Sequence, residues 1–354
     1  MFKNNRRNKL IALFVAIAAL AIFVNIPFLP KYIESPGTAP NLKPVVSIKG
    51  HSDKFKGKFM FTTVSESQAS IASYVVAKFN PNQTIESISD VTGNQDQQSY
   101  INLQNVYMES AINNAIYNAF HYAKKDVYLK YRGIYVLAVD SKSNFYNQIK
   151  AGDSIVSLNG HRFKSSAQFR NYVKSKKIGS KMTLTVYRNK KKIKITRKLY
   201  KLAGTNQAGI GIILSDDNQV STKIPIDVNP GEVGGPSAGL MFSLQIYGQL
   251  TQQNIRHSQN IAGTGTIDEN GNVGEIGGID KKIIAARDAG AKYFLAPYVK
   301  PTKEVLKYED QHMTNYQLAV KTAKKYAPNM KVIPVTSFSD ALNALKKNKR
   351  NVIE

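Results

Sequence analysis

The chain has 354 residues, no cysteine, and 49 Lys plus Arg against 24 Asp plus Glu. Its length allows one large core or two modest ones, and the missing cysteine excludes disulfides, a catalytic thiol and thiolate-bound zinc. Histidines at 51, 121, 161, 257 and 312 show no ligand spacing, so neither a metal site nor a cofactor is implied.

A basic excess attracts nucleic acid, anionic lipid or anionic wall polymer, and the N-terminus argues against nucleic acid. Residues 1–9 form a basic tail with Lys3, Arg6, Arg7 and Lys9, and residues 10–29 form an uncharged apolar run broken only by Asn25 and Pro27. About 20 residues at 1.5 Å each cross a hydrocarbon core of roughly 30 Å. The positive flank stays cytoplasmic, placing everything after Leu29 outside. A cleaved signal peptide would need small residues after the run. Phe28-Leu29-Pro30-Lys31-Tyr32 is bulky there, so an uncleaved single-pass anchor is predicted.

Residues 30–44, with Pro30, Pro36, Pro40 and Pro44, read as an extended tether. Strands are predicted at 45–48 and 57–64 from β-branched and aromatic content, and the Asn/Gln-rich stretch 80–104 reads as a surface loop. Across Tyr107–Phe120, Met108, Ala111, Ile112, Ala115, Ile116 and Ala119 fall on one helical face.

Residues 127–200 read as a separate unit. Gly133–Val139 is a predicted strand, Ile149–Gly160 a turn, strand and Asn-Gly turn, Ser165–Lys174 a helix, and 182–187 with 193–199 a hairpin across Asn189-Lys190. The stretch Ala151-Gly-Asp-x-Ile-x-x-x-Asn-Gly160 resembles PDZ domains. That resemblance implies a peptide groove beside the strand starting at Gly133, formed by Arg132, Gly133, Ile134 and Tyr135, where a ligand adds as an extra strand. The carboxylate-binding loop would be Tyr131-Arg132-Gly133-Ile134, which departs from the usual pattern; a β-rich spacer without a ligand is the plainer alternative. The charged run 188–201 reads as a solvated hairpin, with attraction to anionic polymer or lipid as the alternative.

Chemistry concentrates in the last part. Asn229-Pro-Gly-Glu-Val-Gly-Gly-Pro-Ser-Ala-Gly239 is a glycine-rich loop that delivers Ser237 to the start of an apolar helix. A serine there can be only an N-cap. Gly235-Pro-Ser-Ala-Gly239 also satisfies the nucleophile-elbow pattern, but a Pro/Gly loop stands where that pattern needs a strand. Further on, Gly277-Gly-Ile-Asp-Lys-Lys-Ile-Ile-Ala-Ala-Arg-Asp-Ala-Gly290 reads as a helix with a lysine on its apolar side. Burial lowers a lysine's pKa, as a lysine base requires. Helical position favours Lys282 without excluding Lys281.

These two segments together resemble the proteolytic domain of Lon proteases, as do Gly263-Thr-Gly-Thr-Ile267, Asn270–Gly277 and Met108-Glu-Ser-Ala111. The resemblance implies Ser237 as nucleophile, Lys282 as base, Thr264 orienting Lys282, and Gly235 and Pro236 in the oxyanion loop. It also implies a homo-hexameric ring. The expected architecture is α+β: a Lon-type proteolytic domain split into 45–125 and 203–347, a PDZ domain inserted between them, and one transmembrane helix in front. This order resembles the Lon-like, PDZ-containing membrane proteases of Gram-positive bacteria, one group of which trims peptide pheromones. No Gly-x4-Gly-Lys-[Ser/Thr] loop occurs in the sequence, and Gly234 stands where ATP-dependent Lon often has an acid. The expected function is therefore ATP-independent, extracytoplasmic cleavage of secreted peptides or unstructured segments, pheromone precursors or quality-control substrates among them. A non-catalytic, membrane-anchored PDZ adaptor is the rival.

Overall fold

The computed structural model of the chain describes residues 3–93, 95, 97–188, 191–202, 204–307 and 309–348. It opens with α1 (Lys3–Asn25), of which Arg7–Asn25 is long and apolar enough to cross a membrane and is not buried within the protein. Next come β1 (Lys31–Pro36), β2 (Val46–Ile48), β3 (Lys58–Phe61), β4 (Val64–Gln68), α2 (Ile71–Phe79), β5 (Thr84–Ser87), a short α3 (Ile88–Thr92) and the long α4 (Gln97–Tyr122).

Two expectations are corrected here. The stretch 30–44 is no tether: β1 is the middle strand of a sheet ordered β4-β1-β5, and Ile33 and Leu42 are buried. Pro36 lies beyond the last residue that β1 pairs with β5, so its missing N–H interrupts no bond on that side. The stretch 80–104 is no plain loop either, because it holds β5, α3 and the first turns of α4. Its polarity marks exposure rather than lack of structure. The apolar face read on 107–120 is the buried face of α4, with Met108, Ala111, Ala115, Ile116 and Ala119 inside and Ile112 packed beside them.

The middle of the chain has its own core. It contains β6 (Val127–Val139), β7 (Ser154–Leu158), α5 (Ser166–Lys174), β8 (Lys181–Arg188), β9 (Lys191–Lys198), the short pair β10 (Tyr200–Lys201) and β11 (Ala208–Gly209), and β12 (Ile212–Thr222). The turn at Asn189-Lys190 lies outside the described residues. Five of these strands form an antiparallel sheet ordered β12-β6-β7-β8-β9, closed by Phe145, Phe169, Leu158 and Leu184. This core continues past residue 200, taking in Ala208 and Ile210, with Leu214 packed against it.

The remainder holds β13 (Ile226–Val228), α6 (Gly239–Thr251), β14 (Asn260–Gly263), the pair β15 (Thr266–Ile267) and β16 (Val273–Gly274), α7 (Ile279–Asp288), β17 (Tyr293–Pro297), α8 (Lys303–Leu306), α9 (Asn315–Tyr326), β18 (Lys331–Val335) and α10 (Phe338–Asn348). A parallel sheet ordered β18-β17-β14-β3 joins this part to the first, since β14 pairs with β3. Helix α6 is buried on all sides from Gly239 to Leu250 and packs in one core with α4, β2 and β3. The architecture is thus α+β, with the β-rich unit inserted between two stretches that share a core. Its two crossings, β6 and β12, pair with each other along their whole length. Val127 and Val220 on this ribbon pack on the large core, and Tyr131, Val139, Ile212 and Leu214 on the small one.

One buried ion pair fastens α6 to the first part. Arg256 donates from both terminal nitrogens to Asp53, at 2.7 Å each, and to Gln245 Oε1 at 3.1 Å, while Gln245 donates to Asp53 at 2.9 Å. Burial pushes the Asp53 carboxyl up, but bonds from Arg256 and Gln245 outweigh it and hold it at about 2. Removing one partner strands the other charge in an apolar setting. Arg256→Leu is expected to lower stability by about 3–5 kcal/mol in urea unfolding.

Candidate active site

The site forms at the carboxyl ends of two neighbouring parallel strands, where open α/β sheets place their crevices. Thr62 and Thr63 follow β3, Thr264 follows β14, and a cleft of about 480 Å³ opens there, lined among others by Glu34, Glu66, Tyr100, Ser237 and Lys282.

Ser237 comes from the loop before α6. The Gly235 amide donates to the Gln104 carbonyl of α4 at 2.8 Å, and Gly235 has φ 88°, a conformation glycine takes without steric penalty. A Cβ at Gly234 would stand 2.7 Å from Gln104 Cβ, so the loop lies directly on α4. The Ser237 carbonyl accepts from the Gly265 amide at 2.8 Å and from the Thr264 hydroxyl at 3.0 Å. The backbone around Ser237 is therefore held from two sides, just ahead of the positive end of α6.

Lys282 comes from α7. The helix starts at Gly278, whose φ is 66° and whose missing Cβ leaves room for Glu34 and Val64, 2.6 and 2.7 Å from where it would be. Lys282 is 4 % exposed. Its Nζ donates to Ser237 Oγ at 2.8 Å and to Thr264 Oγ1 at 3.3 Å. Thr264 thus accepts from the lysine while donating to the serine's carbonyl. Burial drives the Lys282 pKa from 10.5 down to about 8, with Glu34 and Glu66 opposing it more weakly.

The neighbouring lysine has the opposite fate. Lys281 meets Glu34 at 3.1 Å and Asp280 at 3.2 Å and donates to Thr84 Oγ1 at 2.6 Å. Burial would lower its pKa, but the two carboxylates outweigh burial and raise it. Of the pair that helical position left open, only Lys282 has both reach and a depressed pKa. His312 bonds through Nδ1 to the Leu306 carbonyl at 3.0 Å.

Sequence reasoning missed Glu34, Tyr100 and Gln104. Tyr100 donates to Glu66 at 3.1 Å on the cleft wall. No local motif marks these residues; Glu34 lay in the supposed tether, and Tyr100 and Gln104 in the supposed loop.

The expected peptide groove is also corrected. Arg132, Gly133, Ile134 and Tyr135 lie on β6, which is covered by β12 along its length and by β7 at Ile134 and Tyr135. No strand can add beside Ile134 and Tyr135, which are paired on both sides. Arg132 is already bound to Asp217, with Nε at 2.9 Å and Nη2 at 2.7 Å from Oδ1. A cavity of about 650 Å³ does adjoin Lys130–Ile134, but its other wall includes β7 residues Ser154 to Val156. The terminal strand of this sheet is β12, preceded by Gly209-Ile-Gly-Ile212 and faced by α5, where the Ser166 amide donates to Asp216. That small-apolar-small-apolar run before an alternating stretch was the available signal.

Residues 190–331 match the Lon protease (S16) C-terminal proteolytic domain, and residues 95–199 match the PDZ domain. The chain is 28% identical over 149 residues to the Lon protease of Mycoplasma mycoides, covering 42% of this chain and 16% of that protein. It is 36% identical over 116 residues to the Lon protease of Campylobacter concisus, covering 32% and 12%. The chain therefore spans a small part of the length of these relatives. The crystal structure of the PDZ domain of the SdrC-like protein from Listeria monocytogenes is 33% identical, covering 24% of this chain and 90% of that one, with a TM-score of 0.24.

A buried lysine penalises the fold while charged in both states, below pH 8; the penalty fades as pH rises toward 10.5, where both states are neutral. Lys282→Met is expected to melt higher than the parent at pH 7, by at most about 3 kcal/mol of stability. Thermal scans should show that gap narrowing between pH 8 and 10.5.

Proposed function

We propose that this chain, a Lon-like protease carrying a PDZ domain, is a serine endopeptidase that works outside the cytoplasm without ATP. Its substrates are peptides or unstructured segments of secreted proteins, with pheromone precursors and quality-control substrates as candidates. The reading rests above all on one observation: a buried lysine nitrogen 2.8 Å from a serine hydroxyl at the floor of an open cleft.

In the proposed reaction Lys282 is neutral and takes the Ser237 proton as Oγ attacks the scissile carbonyl. Thr264 fixes the lysine's position. In the loop Gly235-Pro236-Ser237 the Gly235 N–H is held by the Gln104 carbonyl and Pro236 has none, so the Ser237 N–H is the loop's donor to the developing oxyanion, and the positive end of α6 adds to its field. The Lys282 ammonium then protonates the leaving amine, and water, deprotonated by the same nitrogen, releases the acyl group. Absence of a phosphate-binding loop in this sequence supports ATP independence; without ATP-driven unfolding, substrates must arrive already extended. The apolar stretch Arg7–Asn25 supports single-pass anchoring with the basic end inside, and relatedness to Lon supports a homo-hexamer.

For the PDZ unit the proposed peptide edge is β12 rather than β6, with Gly209–Ile212 at the peptide's end and α5 as the facing wall. Peptide binding should slow amide hydrogen exchange in the first half of β12 and leave Gly133–Tyr135 unchanged. Slowing confined to Gly133–Tyr135 would refute this placement.

The main test is cleavage of an unstructured protein by the full chain in vesicles, with and without ATP. The parent should cleave equally in both. Ser237→Ala and Lys282→Ala should each lose at least roughly a thousandfold in kcat/KM while melting as folded proteins. The parent's kcat/KM should rise tenfold per pH unit and level off at about 8, where Lys282 loses its proton. Activity surviving in Ser237→Ala would remove the mechanism.

A further inference from the structure

Little slack separates α1 from the folded body. Four residues after Asn25, the Leu29 amide donates to the Ala69 carbonyl at 3.0 Å, and the Leu29 carbonyl accepts from Gln68 Nε2 at 3.2 Å. Leu29 also packs on the small core of Ile33, Ala69 and Ala77. Helix α2 begins two residues beyond Ala69, started by a reciprocal Ser70–Ser73 capping box, and it touches α1. The point where α1 ends and the point where α2 starts are thus fixed together.

Helix α2 turns Ala77 inward and leaves its other face bare. Val75 is 50 % exposed, Val76 60 % and Phe79 84 %, and their spacing puts all three on one side of the helix. Ile26 and Phe28, in the connection leaving α1, are also about half exposed. Burying valine and phenylalanine side chains is favourable in proportion to the apolar area taken out of water, so leaving these three exposed beside an apolar helix end forgoes a stabilisation that a covering apolar layer would supply. Lys78 sits over the Tyr74 ring at 5.1 Å, the pairing of aromatic body and cationic tip that suits a lipid headgroup layer.

We propose that the Val75, Val76 and Phe79 face of α2 lies in the interfacial layer of the membrane that α1 spans. This rests on the anchored reading above. Lipid is the occupant because the face continues directly from the end of the spanning helix, where the bilayer surface must be. The consequence reaches the active site. Strand β4 runs from the cleft, where Val64 and Glu66 are part of the lining, to Ala69 at the foot of α2. Three residues at about 3.3 Å each place that rim about 10 Å from Ala69, two residues before α2. The cleft is therefore held close to the bilayer, and the polypeptides it meets are those leaving or lying on the membrane surface.

The chain contains no tryptophan, so single replacements report without background. Phe79→Trp, Leu13→Trp and Ile178→Trp, all at exposed positions, the last on the inserted unit, would be made in the full chain. Each is reconstituted in phosphatidylglycerol–phosphatidylcholine vesicles whose acyl chains carry bromine near the headgroup or near the bilayer centre. Phe79→Trp should be quenched more by shallow than by deep bromine, Leu13→Trp more by deep, and Ile178→Trp by neither. Quenched Leu13→Trp with unquenched Phe79→Trp would overturn the interfacial face and leave the anchor standing. Phe79→Trp emission that is shifted to the blue, indifferent to bromine and lost on dilution would assign the face to a second copy and overturn the proposal. Unquenched Leu13→Trp would overturn the anchor, and with it this proposal.

Discussion

The burial of one lysine nitrogen beside one serine hydroxyl is the constraint around which this fold is arranged. An ammonium in that place is unstable relative to water, and neighbouring carboxylates would restore its charge if they came closer. The structure keeps them apart by giving Glu34 another partner. Lys281, one residue before Lys282, takes Glu34 in an ion pair at 3.1 Å, so two adjacent lysines divide the local electrostatics between them. Gly278 allows β1 and β4 to close against the start of α7, excluding water from the Lys282 stem without adding an acid to its head.

Helix α4 ties the other half of the site to the rest of the molecule. One part of it carries the Gln104 carbonyl that holds Gly235. Further along, Asn113 donates to the Asn218 carbonyl on β12 at 3.0 Å, and Asn114 and Asn118 donate to the Ile267 and Asp268 carbonyls at 3.0 and 2.8 Å. The Ser237 loop, the β15–β16 hairpin and the ribbon leading into the inserted unit therefore share one support. A paired ribbon with side chains in both cores is stiffer than a single linker, so the inserted unit is carried at a defined angle rather than on a flexible arm.

The sequence disclosed what depends on local pattern. Ser237 and the Lys281-Lys282 pair stand in short glycine-bounded motifs, and the α4 face from Met108 to Ala119 follows helical periodicity. What stayed hidden depends on pairing between distant segments. Nothing near Pro30 or Pro36 says that β1 will be the middle strand of a sheet, because its partners lie at 64–68 and 84–87. Which strand of the inserted sheet is terminal stayed hidden for the same reason. Gly133–Val139 has the residues of a strand, but whether a strand is an edge is decided by neighbours, and β12 comes more than seventy residues later. The family resemblance pointed to Lys282 where helical position left Lys281 open, but the physical reason, Lys281 paired with Glu34, lies in no motif.

The most direct test of this account is the titration of Lys282 itself in the resting protein. With lysines labelled at Cε, NMR spectra across pH 6 to 11 should show one resonance titrating at about 8, absent from Lys282→Met and shifted upward in Lys281→Met, where Glu34 loses its partner. If every lysine resonance instead titrates near 10.5, the nitrogen beside Ser237 is an ordinary ammonium, and the account of how this site is poised is wrong.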